Sequence, residues 1–337
     1  MKKHINIPVF IPHLGCPNQC VFCNQHTISG TNEFDPESLT EIIESALETI
    51  DDNAEVEIAF FGGSFTGIDR ELMLKLLKTA YSYVASGRVS SIRCSTRPDY
   101  INIEILECLQ KYGVKIIELG LQSVDEDVLS LTKRGHAFED EREACELIVK
   151  RGFSLVGQMM IGLPGSTLDS ELETADFIIK SGASGARIYP TVVFKDTELE
   201  KMTEKKIYTP LSLDEAIKRT AAVKQRFIDS GIEVIRVGLC SSENLTSDET
   251  YFGGPNHPAI GELVENEIYY NIIRKEIISS GFVHNKKVTV FVSRGSLSKA
   301  IGQKKKNKLR LIKDFSLDDV KFCEDEKLLD YDVSIKI

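Results

Sequence analysis

Val56-Glu57-Ile58-Ala59-Phe60-Phe61-Gly62-Gly63-Ser64-Phe65-Thr66 is an apolar β-type run that stops at paired glycines, and an amphipathic helical pattern, Asp69 to Ala85, follows directly. A strand, a glycine-bearing loop and a helix make one βα unit, and the same unit recurs on both sides. Strand-type runs lie at 5–11, 91–95, 116–121, 155–160 and 186–193, separated by helical patterns at 36–50, 101–112, 138–150, 168–181 and 212–231. Asp35 before Pro36 is a helix cap with proline in the first turn, and Ser212 with Glu215 has the capping-box spacing. Six consecutive βα units require parallel strands joined by right-handed crossovers. The sheet is therefore an open or closed barrel or a doubly wound sheet, with ligand chemistry at the carboxyl ends of its strands.

Beyond this region Ile232 to Val237 reads as a seventh strand, followed by a polar loop from Ser241 to Pro258 and a helix from about Ala259 to Ser280. After Gly281 the character changes to a strand, Val288 to Val292, a helix from near Ser296, a basic run and an acidic tail. These shifts predict three parts: 1–240, a helical extension over 241–281, and a small module over 282–337.

The 337 residues are ordinary globular composition, 42% hydrophobic with 23 Gly and 10 Pro, which excludes collagen-like and disordered classes. No apolar run approaches the roughly 18 residues needed to cross a bilayer. Pro8 and Pro12 interrupt the one N-terminal stretch that imitates a signal peptide, so the expected compartment is the cytoplasm and no membrane partner is expected. The net charge of −10 hides a segregation: ten basic residues and no acidic one lie between Lys286 and Lys313, on a body that is strongly acidic. A basic segment on an acidic chain points to a polyanionic partner more than the total does.

Three of the eight cysteines cluster at Cys16, Cys20 and Cys23, whereas Cys94, Cys108, Cys145, Cys240 and Cys323 are scattered singly. That is not a disulfide framework; it reads as metal chemistry in a reducing compartment. The cluster sits in the loop after the first strand, where a βα barrel builds its active site. Three thiolates can hold three irons of a cubane and leave the fourth iron open to a ligand. Tetrahedral zinc is the alternative, with His13 or His26 as the only nearby fourth ligand.

Gly15-Cys16-Pro17-Asn18-Gln19-Cys20-Val21-Phe22-Cys23-Asn24, with C-x3-C-x2-C spacing and an aromatic before the last cysteine, resembles the signature of the radical S-adenosylmethionine (SAM) superfamily. The resemblance implies a [4Fe-4S] cluster on Cys16, Cys20 and Cys23, SAM on its open iron, a 5′-deoxyadenosyl radical, and an electron donor such as flavodoxin or ferredoxin. It also narrows the fold to a partial (βα)6 TIM-like barrel. Six further blocks are similar to the radical domain of the Elongator catalytic subunit family: Gly62 to Thr66, Ser95 to Tyr100, Glu118 to Ser123, Lys133 to His136, Met159 to Gly165 and Arg187 to Thr191. The likeness covers the radical half. That family's acetyltransferase domain has no counterpart expected in the short stretch after Gly281, and its first two cysteines are spaced more widely.

Within these blocks Gly62, Gly63 and Ser64 stand where the superfamily meets the cofactor amino group, with Ser64 in place of the usual acid. Arg97 is a candidate for the cofactor carboxylate or substrate, against a structural salt bridge with Asp99 or Asp125. Gln122 is a candidate ribose or carboxylate contact, and Gly162 a candidate for the adenine edge. Tyr189 is a catalytic candidate facing the radical. His136 and His257 are loop candidates for acid–base work, His257 being retained as catalytic.

Leu297-Ser298-Lys299-Ala300-Ile301-Gly302-Gln303-Lys304-Lys305-Lys306-Asn307 resembles the centre of a KH domain, a fold that clamps about four nucleotides of backbone with a GxxG loop. Lys305 replaces the second glycine. Gly302, Lys304, Lys305, Lys306, Lys308 and Arg310 are the candidate RNA contacts. The expected fold is thus α/β, a partial barrel with a small C-terminal α+β KH-like domain, and the expected function is radical modification of a nucleoside in RNA, tRNA before rRNA. Two competitors are a small-molecule enzyme resembling the oxygen-independent coproporphyrinogen oxidases, and a non-enzymatic RNA-binding protein with a structural metal site.

Overall fold

The computed structural model describes residues 4–11, 14–16, 20–24, 34–51, 53–239, 249–281 and 286–337. His13, His26, Cys240 and residues 241–248 of the loop that follows lie outside these described residues.

The chain divides into two compact units, Met1–Leu211 with Arg226–Asn256, and Ser212–Gln225 with His257–Ile337. In the first, His4–Ile11 (β1), Glu55–Gly62 (β2), Ser91–Thr96 (β3), Val114–Gln122 (β4), Ser154–Ile161 (β5) and Gly185–Pro190 (β6) form a parallel sheet in sequence order. The strand expected over 186–193 stops at Pro190, and the chain continues into a two-residue strand, Val193–Phe194 (β7). Glu233–Val237 (β8) adds to the sheet beside β6, and Tyr251–Gly253 (β9) pairs antiparallel with β7. The order β1-β2-β3-β4-β5-β6-β8 leaves β1 and β8 as edges, so of the sheets the βα repeat allowed this is the open one, the partial barrel that the family resemblance implies.

Period-two alternation assigns each strand's two faces. Ile58 and Phe60, Ile92 and Cys94, and Ile117 and Leu119 are all fully buried. Gly157 shares the helix-side face, because a Cβ there would lie 2.6 Å from Ile178 of the helix Leu168–Lys180. The other face carries Glu57, Arg93, Glu118, Gln158 and Arg187, which bond one another and line the concave interior. A sheet buried on both faces usually reads as a continuous apolar run; these polar positions break that run for a reason that lies in the interior.

The second unit holds the helix Ile260–Ser279, the strand Lys287–Val292 (β10), the short helix Leu297–Ile301, the helix Lys306–Phe315, and strands Asp319–Glu324 (β11) and Val333–Lys336 (β12). β10 is central, parallel to β11 and antiparallel to β12. Strand, helix, basic loop and helix fall where the sequence put them. The acidic tail carries a strand: Val320 and Phe322 alternate with polar residues in β11 and face the core of this unit. The grouping also differs from a boundary at 282. Tyr269, Tyr270, Ile273 and Ile277 of the long helix share one core with Val288, Val290, Val292, Leu311 and Val320, so this helix supplies four of the eleven buried residues of that core.

Candidate functional site

The cysteine loop is fastened at its centre. Val21 donates its N–H to the Thr132 carbonyl (3.1 Å) and accepts from the Leu199 N–H (2.8 Å), while Cys23 N–H bonds the Cys20 carbonyl (3.0 Å). Val21 and Phe22 pack on Val193, Leu199 and Tyr208, so the side chains between the last two cysteines anchor them on β7 and the segment after it. Cys16, Cys20 and Cys23 form no disulfide, Cys20 being buried and the other two half-buried. Cys16 Sγ lies 3.6 Å from Ser64 Oγ. Cys20 Sγ lies 3.4 Å from Arg134 Nη1 and 4.0 Å from Arg97 Nη1.

The paired glycines have a packing cause that the sequence did not disclose. A Cβ on Gly63 would lie 2.1 Å from the Leu14 carbonyl oxygen, and one on Gly62, whose φ is +107°, would lie 2.9 Å from that of Ile11. The Gly63 and Ser64 N–H groups already donate to the Ile11 and Leu14 carbonyls (2.8 and 3.2 Å). The glycine loop is thus zipped onto the turn that carries Cys16, and its N–H groups at 63 and 64 are engaged within the protein. Ser64 is buried with its hydroxyl toward Cys16.

Arg97 resolves toward the salt bridge: Nε and Nη2 fork onto Asp99 (2.9 and 3.0 Å), not Asp125. Nη2 also donates to the Arg134 carbonyl and lies 3.4 Å from His136 Nδ1. His136 is a buried partner in place of a loop acid–base group. Its Nε2 is 3.0 Å from Glu141 Oε1. Burial, with the Arg134 and Arg97 guanidinium groups facing it, pulls the imidazole down to about 3, and burial pushes the Glu141 carboxyl well above its usual range.

At the end of β4, Gln122 is a non-glycine residue at φ +74°, beside a register shift between Gly120 and Gln122, and its Oε1 is buried with no partner among the described residues. Backbone strain together with an orphaned acceptor is the pattern of a position held for a ligand. Gly162 departs from its expected role. Its N–H donates to Glu171 (2.6 Å), its carbonyl accepts from the Tyr208 hydroxyl (2.6 Å), and a Cβ would strike Leu211 at 2.6 Å, so packing and turn geometry account for it. Tyr189 is half-buried on the concave face of β6, bonded to Arg187, and burial raises its phenol. Thr191 beyond it is buried, its hydroxyl without a partner among the described residues.

Sequence reasoning missed the interior itself. His4 Nε2 meets Glu57 (2.8 Å), Glu57 meets Arg93 Nε (2.8 Å), Arg93 meets Glu118 (3.0 Å), and Glu118 holds Arg187 Nη2 (3.0 Å) and Gln158 (2.9 Å). This chain of charge links β1, β2, β3, β4, β5 and β6. The available signal was an acid or arginine at alternate positions inside otherwise apolar strands.

His257 and the basic module belong to the second unit. His257 Nδ1 accepts from the Ala259 N–H (3.1 Å) and its carbonyl from the Ile260 N–H (3.0 Å), so both acceptors are engaged in the turn that leads into the helix Ile260–Ser279. Three of the six candidate RNA contacts are already paired: Lys306 with Asp214 (3.2 Å), Lys308 with Asp319 (2.8 Å), and Arg310 with Glu267, its guanidinium 3.6 Å from the Tyr270 ring centroid. Lys304 and Lys305 are exposed and have no acidic partner among the described residues. Both are left-handed, at φ +51° and +62°, so Lys305 keeps the backbone conformation that a glycine would take there. A Cβ on Gly302 would meet Asn307 at 3.0 Å, and Asn307 Nδ2 bonds the Asn266 and Ala300 carbonyls (2.6 and 3.2 Å), which fixes the base of the loop.

An open parallel half-barrel with three cysteines in its first strand-end loop and an orphaned acceptor at its fourth defines the core of a radical enzyme. Residues 10–178 match the model of the radical SAM superfamily and 183–270 that of the Radical_SAM C-terminal domain, so the chain belongs to the radical SAM superfamily, whose cofactors are a [4Fe-4S] cluster and SAM. An uncharacterized protein from Methanocaldococcus jannaschii is 32% identical over 228 residues, 64% of this chain and 70% of that one. The tRNA uridine(34) acetyltransferase of Dehalococcoides mccartyi is 26% identical over 241 residues, 60% of this chain and 52% of that enzyme, so the chain spans about half of this relative's length. Among solved structures, Elongator protein 3 of Methanocaldococcus infernus, with its N-terminus deleted, superposes with a TM-score of 0.61 at 21% identity, covering 84% of this chain and 64% of that one, which is a likeness of fold.

The residues present fit these cofactors. Cys16, Cys20 and Cys23 form no disulfide, buried guanidinium groups face Cys20, and the Gln122 acceptor has no partner among the described residues. Among the described residues no three His, Cys, Asp or Glu side chains converge to hold a single metal ion.

Proposed function

We propose that this chain is a radical SAM enzyme that modifies a nucleoside of RNA, with tRNA the first substrate and rRNA the second. The observation that carries the reading is the similarity of its radical domain to a tRNA uridine(34) acetyltransferase over 60% of the chain. Cys16, Cys20 and Cys23 would hold the cluster. When bound, cluster and SAM supply a 5′-deoxyadenosyl radical that abstracts hydrogen from the substrate.

The chain's own residues do the rest. The Gly62-Gly63 turn, with its N–H groups at 63 and 64 engaged, has carbonyl oxygens to offer an amino group. Gln122 gains a partner for its buried Oε1, which relieves an unsatisfied acceptor costing about 1–3 kcal/mol. Tyr189 borders the space in which substrate is oriented, braced by Arg187 and Glu118. In the small unit, the Gly302–Lys305 loop presents two unpaired lysines in fixed left-handed geometry to RNA phosphates, in the manner of a KH loop. Electrons come from a flavodoxin- or ferredoxin-type donor.

Mass spectrometry of tRNA and rRNA nucleosides from cells with and without this protein tests the reading. Loss of one modified nucleoside from tRNA on deletion is expected. Identical nucleoside profiles in both RNA pools, with a change in a small metabolite instead, would overturn it.

A further inference from the structure

We propose that Arg134 and Arg97 act as a pair behind Cys20 and set the reduction potential of the bound cluster, Arg134 as the direct donor to sulfur and Arg97 as the residue that positions it. Both side chains are buried. Arg134 Nη1 lies 3.4 Å from Cys20 Sγ, and Arg97 Nη1 reaches the same sulfur at 4.0 Å. Cys16 instead meets a neutral hydroxyl, that of Ser64 at 3.6 Å. Two cations thus converge on one sulfur, while a neutral donor faces another.

Neither guanidinium is free to swing away. Arg97 is locked by its two-point fork onto Asp99, and it donates in turn to the Arg134 carbonyl, so it fixes the backbone from which Arg134 projects. Arg134 Nη2 donates to the Gly120 carbonyl. A Cβ on Gly120 would lie 3.5 Å from Arg134 Nη2 and 3.1 Å from Gln122 Nε2, so the glycine keeps the space in which the guanidinium sits. His136 closes the cage behind Arg97, with its Nδ1 3.4 Å from Nη2.

A one-electron reduction adds negative charge to a cluster and its thiolates. N–H···S hydrogen bonds and buried positive charge stabilise that reduced state and raise the potential, more so in a low-dielectric setting than in water. Only the difference in that stabilisation between the reduced and the oxidised cluster enters the reduction equilibrium.

Redox titration of the anaerobically reconstituted full-length protein, followed by electron paramagnetic resonance without RNA, reads this directly. Arg134→Gln should make reduction about tenfold less favourable, a shift of roughly 59 mV to more negative potential for one electron. Arg134→Lys, which keeps the charge and loses the fork, should shift less. Arg97→Gln should shift in the same direction by a smaller amount. Iron and sulfide content, measured alongside, separates these effects from cluster loss. Wild-type potentials in the cluster-bearing variants would overturn the proposal, as would failure of all three variants to take up a cluster, which would make the arginines structural. A parent protein that takes up no cluster would count against the cofactor assignment instead.

Discussion

Replacing Lys304 and Lys305 with Gln separates the lysines that the fold leaves open from those it has already paired. Lys306, Lys308 and Arg310 each face a carboxylate, whereas Lys304 and Lys305 have none among the described residues. Each phosphate contact contributes about 0.7 to 0.9 to the slope of log affinity against log salt, so the double variant should flatten that slope by about 1.4 to 1.8. Between 50 and 200 mM salt this amounts to roughly a sevenfold to twelvefold difference: the variant loses most at low salt and converges on the parent at high salt. Lys308→Gln should leave the slope near the parent's, because its charge is neutralised locally by Asp319 at 2.8 Å. Fluorescence anisotropy with labelled tRNA across a salt series measures all three slopes. Equal slopes for parent and double variant, or a larger loss from Lys308 than from the pair, would refute the assignment of contacts.

Gly63→Ala places a Cβ 2.1 Å from the Leu14 carbonyl, so it should cost about 1–3 kcal/mol and reduce iron uptake by displacing the Cys16 turn; thermal melting and iron assay check both. Glu118→Gln leaves Arg93 and Arg187 with a neutral partner in a buried site and should cost about 3–5 kcal/mol by denaturant unfolding, with the native circular dichroism retained. The His136 imidazole, pulled down to about 3 in the fold, stays neutral while its unfolded counterpart protonates near 6.5, so the unfolded state binds more protons as pH falls through that window. Stability should therefore drop from pH 6.5 toward 3, and His136→Gln should lessen that drop; unchanged pH dependence of unfolding in the variant would contradict the burial argument.

The βα alternation was legible because strand and helix periods differ, and the cysteine loop because thiol spacing survives in one dimension. Burial patterns were not. Gly62, Gly63 and Gly162 look like ligand glycines in sequence, but what excludes a Cβ is the Ile11 and Leu14 backbone in the first two cases and Leu211 in the third, contacts made across the fold. Arg97 and Asp99, two residues apart, offered a salt bridge that sequence could suggest and not decide; the fork decides it. The lysine run looked uniform because its partners Asp214, Glu267 and Asp319 lie outside the run, two of them far away. Likewise the long helix Ile260–Ser279 reads as an extension of the barrel until Tyr269 and Ile273 are seen in one core with Val288 and Val290.

The central claim is that Cys16, Cys20 and Cys23 make this chain a radical SAM enzyme acting on RNA. Anaerobically reconstituted protein, supplied with SAM, a low-potential reductant and tRNA, should release 5′-deoxyadenosine and leave a mass change on a tRNA nucleoside, and Cys20→Ala should do neither. Cofactor cleavage that persists in Cys20→Ala, or a parent protein that binds stoichiometric zinc without iron–sulfur absorbance and cleaves no SAM, would contradict it.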